Sequence, residues 1–455
     1  MPDVARLTAI AGFAAVLLAT AVQAQTRSEI ATASEQERLR ELHLLGLIST
    51  RPGVQNRDPS APNAANYDEA RANPYPLPDP LRLPTGHRIT TARDWWKLRR
   101  PALVRAIDAH LYGGQPAQTP GVHWAVAQLT HETRFGVPVV VKALDGRLDN
   151  SADPTIEVVI KAELTTPEAA VAGHRKTPVV MSLIWLKQPV IPGVAFTPEP
   201  GADYRQQILE RGWSYVLVDP GSIQADNGAG LTSGVIGLSN HGQPRKLGDW
   251  GVLKAWAWGA SRLLDYLETD PAVDARKVAI QGHSRYGKAS LVAMAYDPRF
   301  ATGFISSSGA GGAAPYRRHW GEAVENVAAS NEYHWMGADF LTYAADPLTA
   351  NDIPVDANEV IALVAPRPIF IGAGSADAAT KANDAWVDPR GMFMAEASAG
   401  EVYKLLGARP IDPAFPRVLS LSNSGDMAYR EHDQGHTPGP NWPAFLDFAA
   451  QVFAR

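Results

Sequence analysis

The 455-residue chain contains no cysteine, so it can hold neither a disulfide nor a catalytic thiol. It also lacks any block of Lys or Arg, and a formal net charge of -5 gives no reason to expect nucleic acid or anionic lipid as a partner. Stability must therefore come from a hydrophobic core. A chain of this length with 45% apolar residues can build one.

The N-terminus carries the longest apolar run. Arg6 is followed by apolar residues from Leu7 to Val22 and then by small residues ending at Ala24. This pattern predicts a secretory signal peptide over residues 1–24 and a periplasmic or secreted protein. The alternative, a membrane anchor, is disfavoured because the run is shorter than the roughly 20 residues that span a bilayer and no stop-transfer charges follow.

Two further segments precede the main body of the chain. Residues 27–48 carry apolar side chains at mostly helical spacing, which predicts a short amphipathic helix. Residues 51–85 are rich in proline and are expected to lie extended over a domain surface. We therefore expect an N-terminal helix and proline-rich extension over 25–60 and one catalytic domain over 61–455, acting as a monomer.

The remaining pattern predicts an α/β fold. After a helix over residues 94–110, the stretches "VHWAVAQLT", "VPVVVKAL" and "TIEVVIKAEL" alternate like antiparallel strands. Later strands, such as those at 177–186 and 215–219, are nearly continuous apolar runs, which is typical of strands covered on both faces. Strands and helices then alternate. The prediction is a three-layer αβα sandwich of the α/β-hydrolase type, with a mostly parallel central sheet and antiparallel N-terminal strands.

One strand-to-helix junction offers a nucleophile. "IQGHSRYGKAS", residues 280–290, follows the strand at 277–280 and places Ser284 between Gly282 and Gly287. Glycines give backbone clearance where a strand passes directly into a helix, as a nucleophile elbow requires. The spacing departs from G-x-S-x-G because Tyr286 stands at the second glycine position. The alternative is a buried turn serine without catalytic function.

The base is expected after the nucleophile in chain order. His436 lies in "REHDQGHTPGPNW", a polar loop before the closing helix over 443–453, and His432 is its local competitor. The two histidines also form H-x-x-x-H, which loosely resembles a zinc motif whose ligands share one helix face. Gly435 and Pro438 oppose a helix there, so no metal is expected.

A serine nucleophile and its histidine base need a carboxylate that orients the histidine. The residues alone do not decide which carboxylate takes this role. Asp377, Asp384 and Asp388 all follow the strand at 367–374, in "SADAATKANDAWVDPRG". Glu322 is a further carboxylate, whereas Ser307, after the preceding strand, offers no charge.

Several stretches together resemble a known family. "GHSRYGK", "SGAGGAAPYRRHWGEAVEN", "NDAWVDPRG" and the late "GH" before "NWPAFLDF" are similar to the bacterial glucuronoyl esterases, the fifteenth family of carbohydrate esterases. The resemblance covers roughly residues 66–450. It implies an α/β-hydrolase that cleaves esters joining the carboxyl of (4-O-methyl-)glucuronic acid on xylan to lignin alcohols.

The resemblance also implies individual roles. Ser284 would be the nucleophile and His436 the base, and Arg285 would help to hold the oxyanion. The sugar contacts would come from Lys288, Glu322 and Trp386. For Arg285 and Lys288 the alternative is a solvated helix start, but two cations in a first turn oppose the helix dipole.

The chain departs from the family pattern at two positions. Many members carry Glu where this chain has Ser307, so the resemblance moves the acid to Asp384, with Asp377 as the alternative. His283 replaces a cysteine of disulfide-linked relatives and is expected either to pack or to support the site.

The predicted function is a serine esterase acting through an acyl-enzyme on Ser284, without a metal or organic cofactor. Its expected partner is a glucuronoxylan or lignin-carbohydrate ester. No nucleic acid is expected to bind, and no membrane after signal cleavage. Two alternatives stay open: a carbohydrate acetyl esterase or other α/β-hydrolase, and a catalytically silent glycan-binding protein.

Overall fold

The computed structural model describes residues 26–55, 58, 60–72, 76–186, 202–377 and 383–455, and the predicted signal peptide lies outside these ranges. Its strands are β1 (Val122–Arg134), β2 (Val137–Leu148), β3 (Val159–Pro167), β4 (Thr177–Leu183), β5 (Ser214–Val218), β6 (Val273–His283), β7 (Thr302–Ser306), β8 (Ile369–Gly374), β9 (Leu421–Asn423) and β10 (Met427–His432). They form one sheet in the order β1-β2-β3-β5-β4-β6-β7-β8-β10-β9.

The sheet is mixed, with a parallel centre. Strands β5, β4, β6, β7, β8 and β10 run parallel to one another. The first three strands pair antiparallel, β3 pairs antiparallel with β5, and β9 pairs antiparallel with β10. The predicted mostly parallel sheet with antiparallel N-terminal strands is confirmed.

Helices alternate with the strands. The α-helices of the described residues are α1 (Arg27–Leu44), α2 (Ala92–Asp94), α3 (Arg100–Ile107), α4 (Glu168–Ala172), α5 (Tyr204–Glu210), α6 (Gly234–Ser239), α7 (Val252–Thr269), α8 (Arg285–Tyr296), α9 (Val324–Val327), α10 (Ala357–Ala362), α11 (Pro389–Leu405) and α12 (Trp442–Phe453). Two π-helical segments, Trp95–Arg99 and Asp108–Tyr112, flank α3.

Both faces of the sheet are covered, because successive side chains of a strand point to opposite sides. In β6, Val278 and Ile280 join the larger core with α7 and α8, whereas Ala279 joins the core beneath α5 and α12. This gives the three layers αβα. Of the described helices, none is long and apolar enough to cross a bilayer.

The N-terminal segment packs against the rest of the chain. In α1, Glu41 forms an ion pair of 2.9 Å with Arg245, and neither side chain is exposed to solvent. Arg51 lies 2.9 Å from Glu325. The domain boundary at residue 60 itself stays a prediction.

Three parallel strands end at one edge of the sheet. His283 closes β6, Gly374 closes β8 and His432 closes β10. The carboxyl ends of parallel strands form one edge, where ligands of open α/β sheets bind. The segments that follow these three strands carry Ser284, Asp384 and His436, and the fold thus directs them towards a common region.

Candidate active site

Ser284 lies at a strained turn between β6 and α8. Its φ of 57° and ψ of -128° fall in a region that non-glycine residues rarely adopt. Its main-chain N–H donates to the Ser306 carbonyl at 2.9 Å, which ties the turn to the neighbouring strand β7. A serine held at such a turn presents its hydroxyl above the sheet edge.

The two flanking glycines leave room for the turn. A Cβ on Gly282 would lie 2.0 Å from the Tyr286 carbonyl oxygen, and one on Gly287 would lie 2.7 Å from the Ser306 carbonyl oxygen. Both distances are too short for a real side chain. The pattern G-x-S-x-x-G therefore serves the turn although the second glycine stands one residue later than usual.

His436 is paired with a buried carboxylate. Its Nδ1 lies 2.8 Å from Oδ1 of Asp384, whose side chain is fully buried. An ionised carboxylate accepts the proton on Nδ1, which leaves Nε2 as the basic nitrogen. The ring of His283, the residue directly before Ser284, lies 4.3 Å from the His436 ring between centroids. The imidazole is thereby placed beside the strained turn.

The other predicted acids lie elsewhere. Asp377 is exposed and its N–H donates to the Ser375 hydroxyl. Asp388 is paired with Arg318 at 2.9 Å, and burial raises its pKa to about 6. Glu322 is engaged by Lys288. Of the candidate acids, the structure therefore brings Asp384 to His436.

His432, the alternative base, is fully buried. Its Nε2 lies 2.8 Å from the Thr437 carbonyl oxygen and its Nδ1 lies 3.2 Å from the Gln434 main-chain nitrogen. Both ring nitrogens are thus occupied by main-chain groups, and neither is available to a serine.

Arg285 is anchored over the first turn of α8. Its guanidinium donates to Oδ2 of Asp226 at 2.6 Å and lies 5.1 Å from the centre of the Trp335 ring. Asp226 also interacts through Oδ1 with His334 Nε2 at 3.0 Å and with the Trp335 indole N–H at 2.7 Å. These contacts fix the carboxylate, and through it the cation beside Ser284.

The charge state of Asp226 follows from these neighbours. Burial acts to raise the pKa of Asp226, but the hydrogen bond from His334 and the charge of Arg285 together hold that pKa well below its ordinary value. Asp226 is therefore an anion at any physiological pH, and Arg285 keeps its partner.

Lys288 lies one helical turn after Ser284 and is buried. Its ammonium group lies 3.0 Å from Oε2 of Glu322 and also donates to the Ala310 carbonyl. The same Glu322 oxygen accepts the Ala310 N–H at 3.0 Å. The pair presents a fixed donor and acceptor, which suits recognition of vicinal sugar hydroxyls.

Trp386 joins this pair to His436. Its carbonyl accepts the Glu322 main-chain N–H at 2.8 Å, and its ring lies 4.7 Å from the His436 ring between centroids. An indole face next to the histidine and the Lys288–Glu322 pair can cover a sugar ring.

A further carboxyl group, Glu332, lies in the electrostatic neighbourhood of Glu322, Lys288 and Arg285. Its Oε2 is buried and has no hydrogen-bond partner within the described residues. Burial and the negative charge of Glu322 raise the pKa of Glu332 to about 8. At neutral pH this group carries a proton and can donate a hydrogen bond.

Sequence reasoning missed four residues of this site: Asp226, Glu332, His334 and Trp335. They stand in "SIQADNGAG" and "NEYHWMG", which have no motif spacing relative to Ser284. The unusual density of Gly, Asn and Ser around Asp226 was the available signal, because loops held by a scaffold commonly carry function.

In the part of the chain that the structure describes, no group of three or more potential ligands could hold a metal ion.

Comparison with known proteins finds that this chain is similar to several esterases. A family model described as "Glucuronyl esterase, fungi" matches residues 245–407. A glucuronoyl esterase of carbohydrate esterase family 15 from Teredinibacter turnerae is 38% identical, with 92% of this chain and 100% of that chain covered and a TM-score of 0.83. A glucuronoyl esterase from Solibacter usitatus is 31% identical over 85% of this chain and 100% of its own, with a TM-score of 0.72. A 4-O-methyl-glucuronoyl methylesterase of Wolfiporia cocos is 27% identical over 73% of this chain and 72% of its own.

Proposed function

The chain belongs to the glucuronoyl esterases of carbohydrate esterase family 15, and from this membership we propose that it hydrolyses esters formed by the carboxyl group of glucuronic acid. The observation that carries the proposal is the His436–Asp384 pair of 2.8 Å beside the strained turn at Ser284. A positioned imidazole is what turns a serine hydroxyl into a nucleophile.

In the first half of the reaction, the Ser284 hydroxyl attacks the ester carbonyl while Nε2 of His436 takes its proton. The carbonyl oxygen becomes negatively charged in the tetrahedral intermediate. Arg285 stabilises that oxygen, and the first N–H groups of α8 have no partner within the helix and are available to it. His436 then gives its proton to the departing alcohol, and the acyl group stays on Ser284.

In the second half, a water molecule replaces the alcohol. His436 takes a proton from the water as it attacks the acyl carbonyl, and returns that proton to Ser284 as the glucuronate leaves. Asp384 accepts the Nδ1–H throughout and stabilises the imidazolium that forms in each half. Every step uses side chains of this protein and water.

Recognition of the uronic acid is assigned to the groups beside the nucleophile. Lys288 and Glu322 offer hydrogen bonds to ring hydroxyls, and Trp386 offers an apolar face. These groups distinguish a glucuronoyl ester from an acetyl ester, because an acetyl group would leave the buried Lys288 and Glu322 without a sugar partner on the acyl side.

A paired assay tests the proposal. The purified protein should hydrolyse the benzyl or methyl ester of glucuronic acid and show much lower turnover of acetylated xylan, with the Ser284→Ala variant inactive on both. Preference for acetylated xylan would instead favour a carbohydrate acetyl esterase. Failure of the wild-type protein to react with a serine-directed fluorophosphonate would favour a glycan-binding protein without catalysis.

We further propose that the protein acts outside the cytoplasm, as a periplasmic or secreted enzyme. Support comes from the apolar run that ends before Ala24. Mass spectrometry of the protein recovered from its native host should find a mature N-terminus at Gln25. A cytoplasmic protein that retains residues 1–24 would contradict this.

A further inference from the structure

The loop that carries His436 has little in its own sequence to keep it in place. Residues 433–437 follow the end of β10, and Gly435 adopts a positive φ of 75°. Asp433 and Gln434 are exposed. A catalytic base on such a loop needs support from outside it, because a displacement of about 1 Å can reduce turnover by about 100-fold.

His432, the residue directly before the loop, supports it from the end of β10. Since Nε2 lies 2.8 Å from the Thr437 carbonyl and Nδ1 lies 3.2 Å from the Gln434 N–H, the ring bridges both arms of the turn. This pattern requires a proton on Nε2 and a free lone pair on Nδ1, which is the neutral ring. The His432 side chain itself is fully buried, which shields its ring from solvent.

His283 supports the loop from the opposite side, next to the nucleophile. Its Nδ1 lies 3.1 Å from the Ser306 hydroxyl oxygen, which anchors the ring to β7. The ring packs against the His436 ring at 4.3 Å between centroids. The bond to Ser306 and the ring contact together place His283 between β7 and the His436 loop.

Both supporting rings are held neutral. Burial lowers the pKa of His283 well below its ordinary value, and the neighbouring His436 and His432 lower it further. Burial likewise lowers the pKa of His432, although its bond to Thr437 and the charge of Asp384 oppose the shift. A neutral neighbour does not oppose the positive charge that His436 acquires during the reaction.

We propose that His283 and His432 are positioning residues that hold the His436 loop from two sides, so that Nε2 of His436 faces Ser284. This inference rests on the proposed function only in so far as His436 is the base. The sequence offered His432 as an alternative catalytic base. The proposal assigns it instead a role in positioning His436.

The test uses substitutions that replace one ring nitrogen at a time. The amide of Gln reaches the position of Nε2, whereas the amide of Asn reaches that of Nδ1. We expect His283→Ala to lower kcat for the glucuronate benzyl ester by about 10- to 100-fold with KM changed by less than about threefold, as for a displaced base. His283→Asn should retain more of kcat than His283→Gln, because its amide reaches the position of Nδ1 and keeps the contact with the Ser306 hydroxyl.

For His432 the same logic gives the opposite order. His432→Gln keeps the bond to Thr437 and His432→Asn keeps only the acceptor for Gln434, so Gln should be the milder change at this position. The matched control is His110→Gln, because His110 hydrogen-bonds Tyr343 at 2.7 Å and takes no part in the site. It should leave kcat unchanged.

Two readouts separate positioning from general stability. The low-field proton resonance of the His436–Asp384 hydrogen bond should shift or broaden in His283→Ala and stay in place in His110→Gln. Thermal unfolding identifies variants that fail to fold. Where an Ala variant does not fold, the Gln and Asn variants at the same position provide the test. Wild-type kcat and an unshifted resonance in a folded His283→Ala protein would overturn the proposal, as would equal kcat for Gln and Asn at both positions.

The rate of labelling by a fluorophosphonate is measured in parallel. It reports the reactivity of Ser284 whatever the natural ester is. If the wild-type protein is labelled but does not cleave glucuronate esters, the proposed function fails, and the labelling rates of the variants still decide whether the two histidines position His436.

Discussion

Ser307 donates a hydrogen bond of 2.6 Å to Oδ2 of Asp384, while Oδ1 of the same carboxylate faces His436. The Gly374 N–H adds a second donor to Oδ2 at 3.1 Å. Many members of the family carry a glutamate at the position of Ser307. In this chain Ser307 instead orients a carboxylate that comes from a different loop. The carboxylate beside His436 therefore comes from the segment after β8, and Ser307 fixes its orientation.

We predict that Asp384→Asn lowers kcat by about 10⁴-fold, as loss of the orienting acid does in serine proteases. The amide would present a donor to His436 and favour the wrong tautomer. Steady-state kinetics on a glucuronate benzyl ester measure the effect. Asp377→Asn, on the same segment but exposed, is the matched control and should keep wild-type kcat. The reverse result would transfer the acid to Asp377.

Asp226 is predicted to act through Arg285. Asp226→Asn removes the charge that holds the guanidinium, so kcat should fall by at least about tenfold but by less than in Arg285→Ala, where loss of the oxyanion donor costs about 100- to 1,000-fold. KM should change little. The exposed Asp412→Asn serves as the control, and wild-type kcat in a folded Asp226→Asn protein would exclude the anchoring role.

Lys288 is predicted to serve sugar recognition more than bond cleavage. Lys288→Ala should raise KM for the glucuronate ester by about 10- to 100-fold, the range expected for a lost hydrogen bond to a charged group. Fluorophosphonate labelling of Ser284 should continue at a rate near that of the wild type. An unchanged preference for glucuronate over acetate esters would contradict this assignment. Thermal unfolding shows whether Glu322 tolerates the loss of its partner.

Glu332 should make the stability of the folded protein depend on pH. Its pKa is raised from 4.5 to about 8, so between these pH values the folded state keeps a proton that the unfolded state has released. Stability contributed by this group is therefore present at low pH and is lost as the pH rises through that window. Thermal unfolding of wild type and Glu332→Gln should show a difference that grows in favour of the variant from pH of about 5 to about 8.

The exposed Glu401→Gln is the control for that experiment and should show no such trend. A difference between wild type and Glu332→Gln that does not change with pH would mean that Glu332 is already ionised in the folded protein at neutral pH.

The local parts of the fold were predictable from local patterns. The apolar run before Ser284 and the glycines around it predicted the β6–α8 turn, and the polar loop before the closing helix predicted the place of His436. Strand β10 was missed because its sequence "MAYREH" ends in polar residues, although Glu431 and His432 are buried. Charged and polar side chains in a buried strand hide the apolar run by which such strands are recognised.

The support of the site was not predictable in the same way. Asp226 and Trp335 are separated by more than 100 residues and reach Arg285 only through the packing of several loops. Their roles depend on hydrogen bonds in three dimensions, which no spacing along the chain encodes. The family resemblance identified Lys288, Glu322 and Trp386 as candidate sugar contacts and favoured Asp384 as the acid, with Asp377 as the alternative.

The contacts of α1 have a practical consequence for anyone who wishes to shorten this protein. Ser34 accepts the Tyr333 hydroxyl through its main-chain carbonyl and the Ala229 N–H through its side chain, close to Asp226 and Trp335. A version that begins after Leu44 would strip these contacts and leave the guanidinium of Arg245 buried without its anion, which is costly to fold. The minimal enzyme for expression should therefore start upstream of Arg27, even though every residue assigned to the chemistry lies far downstream.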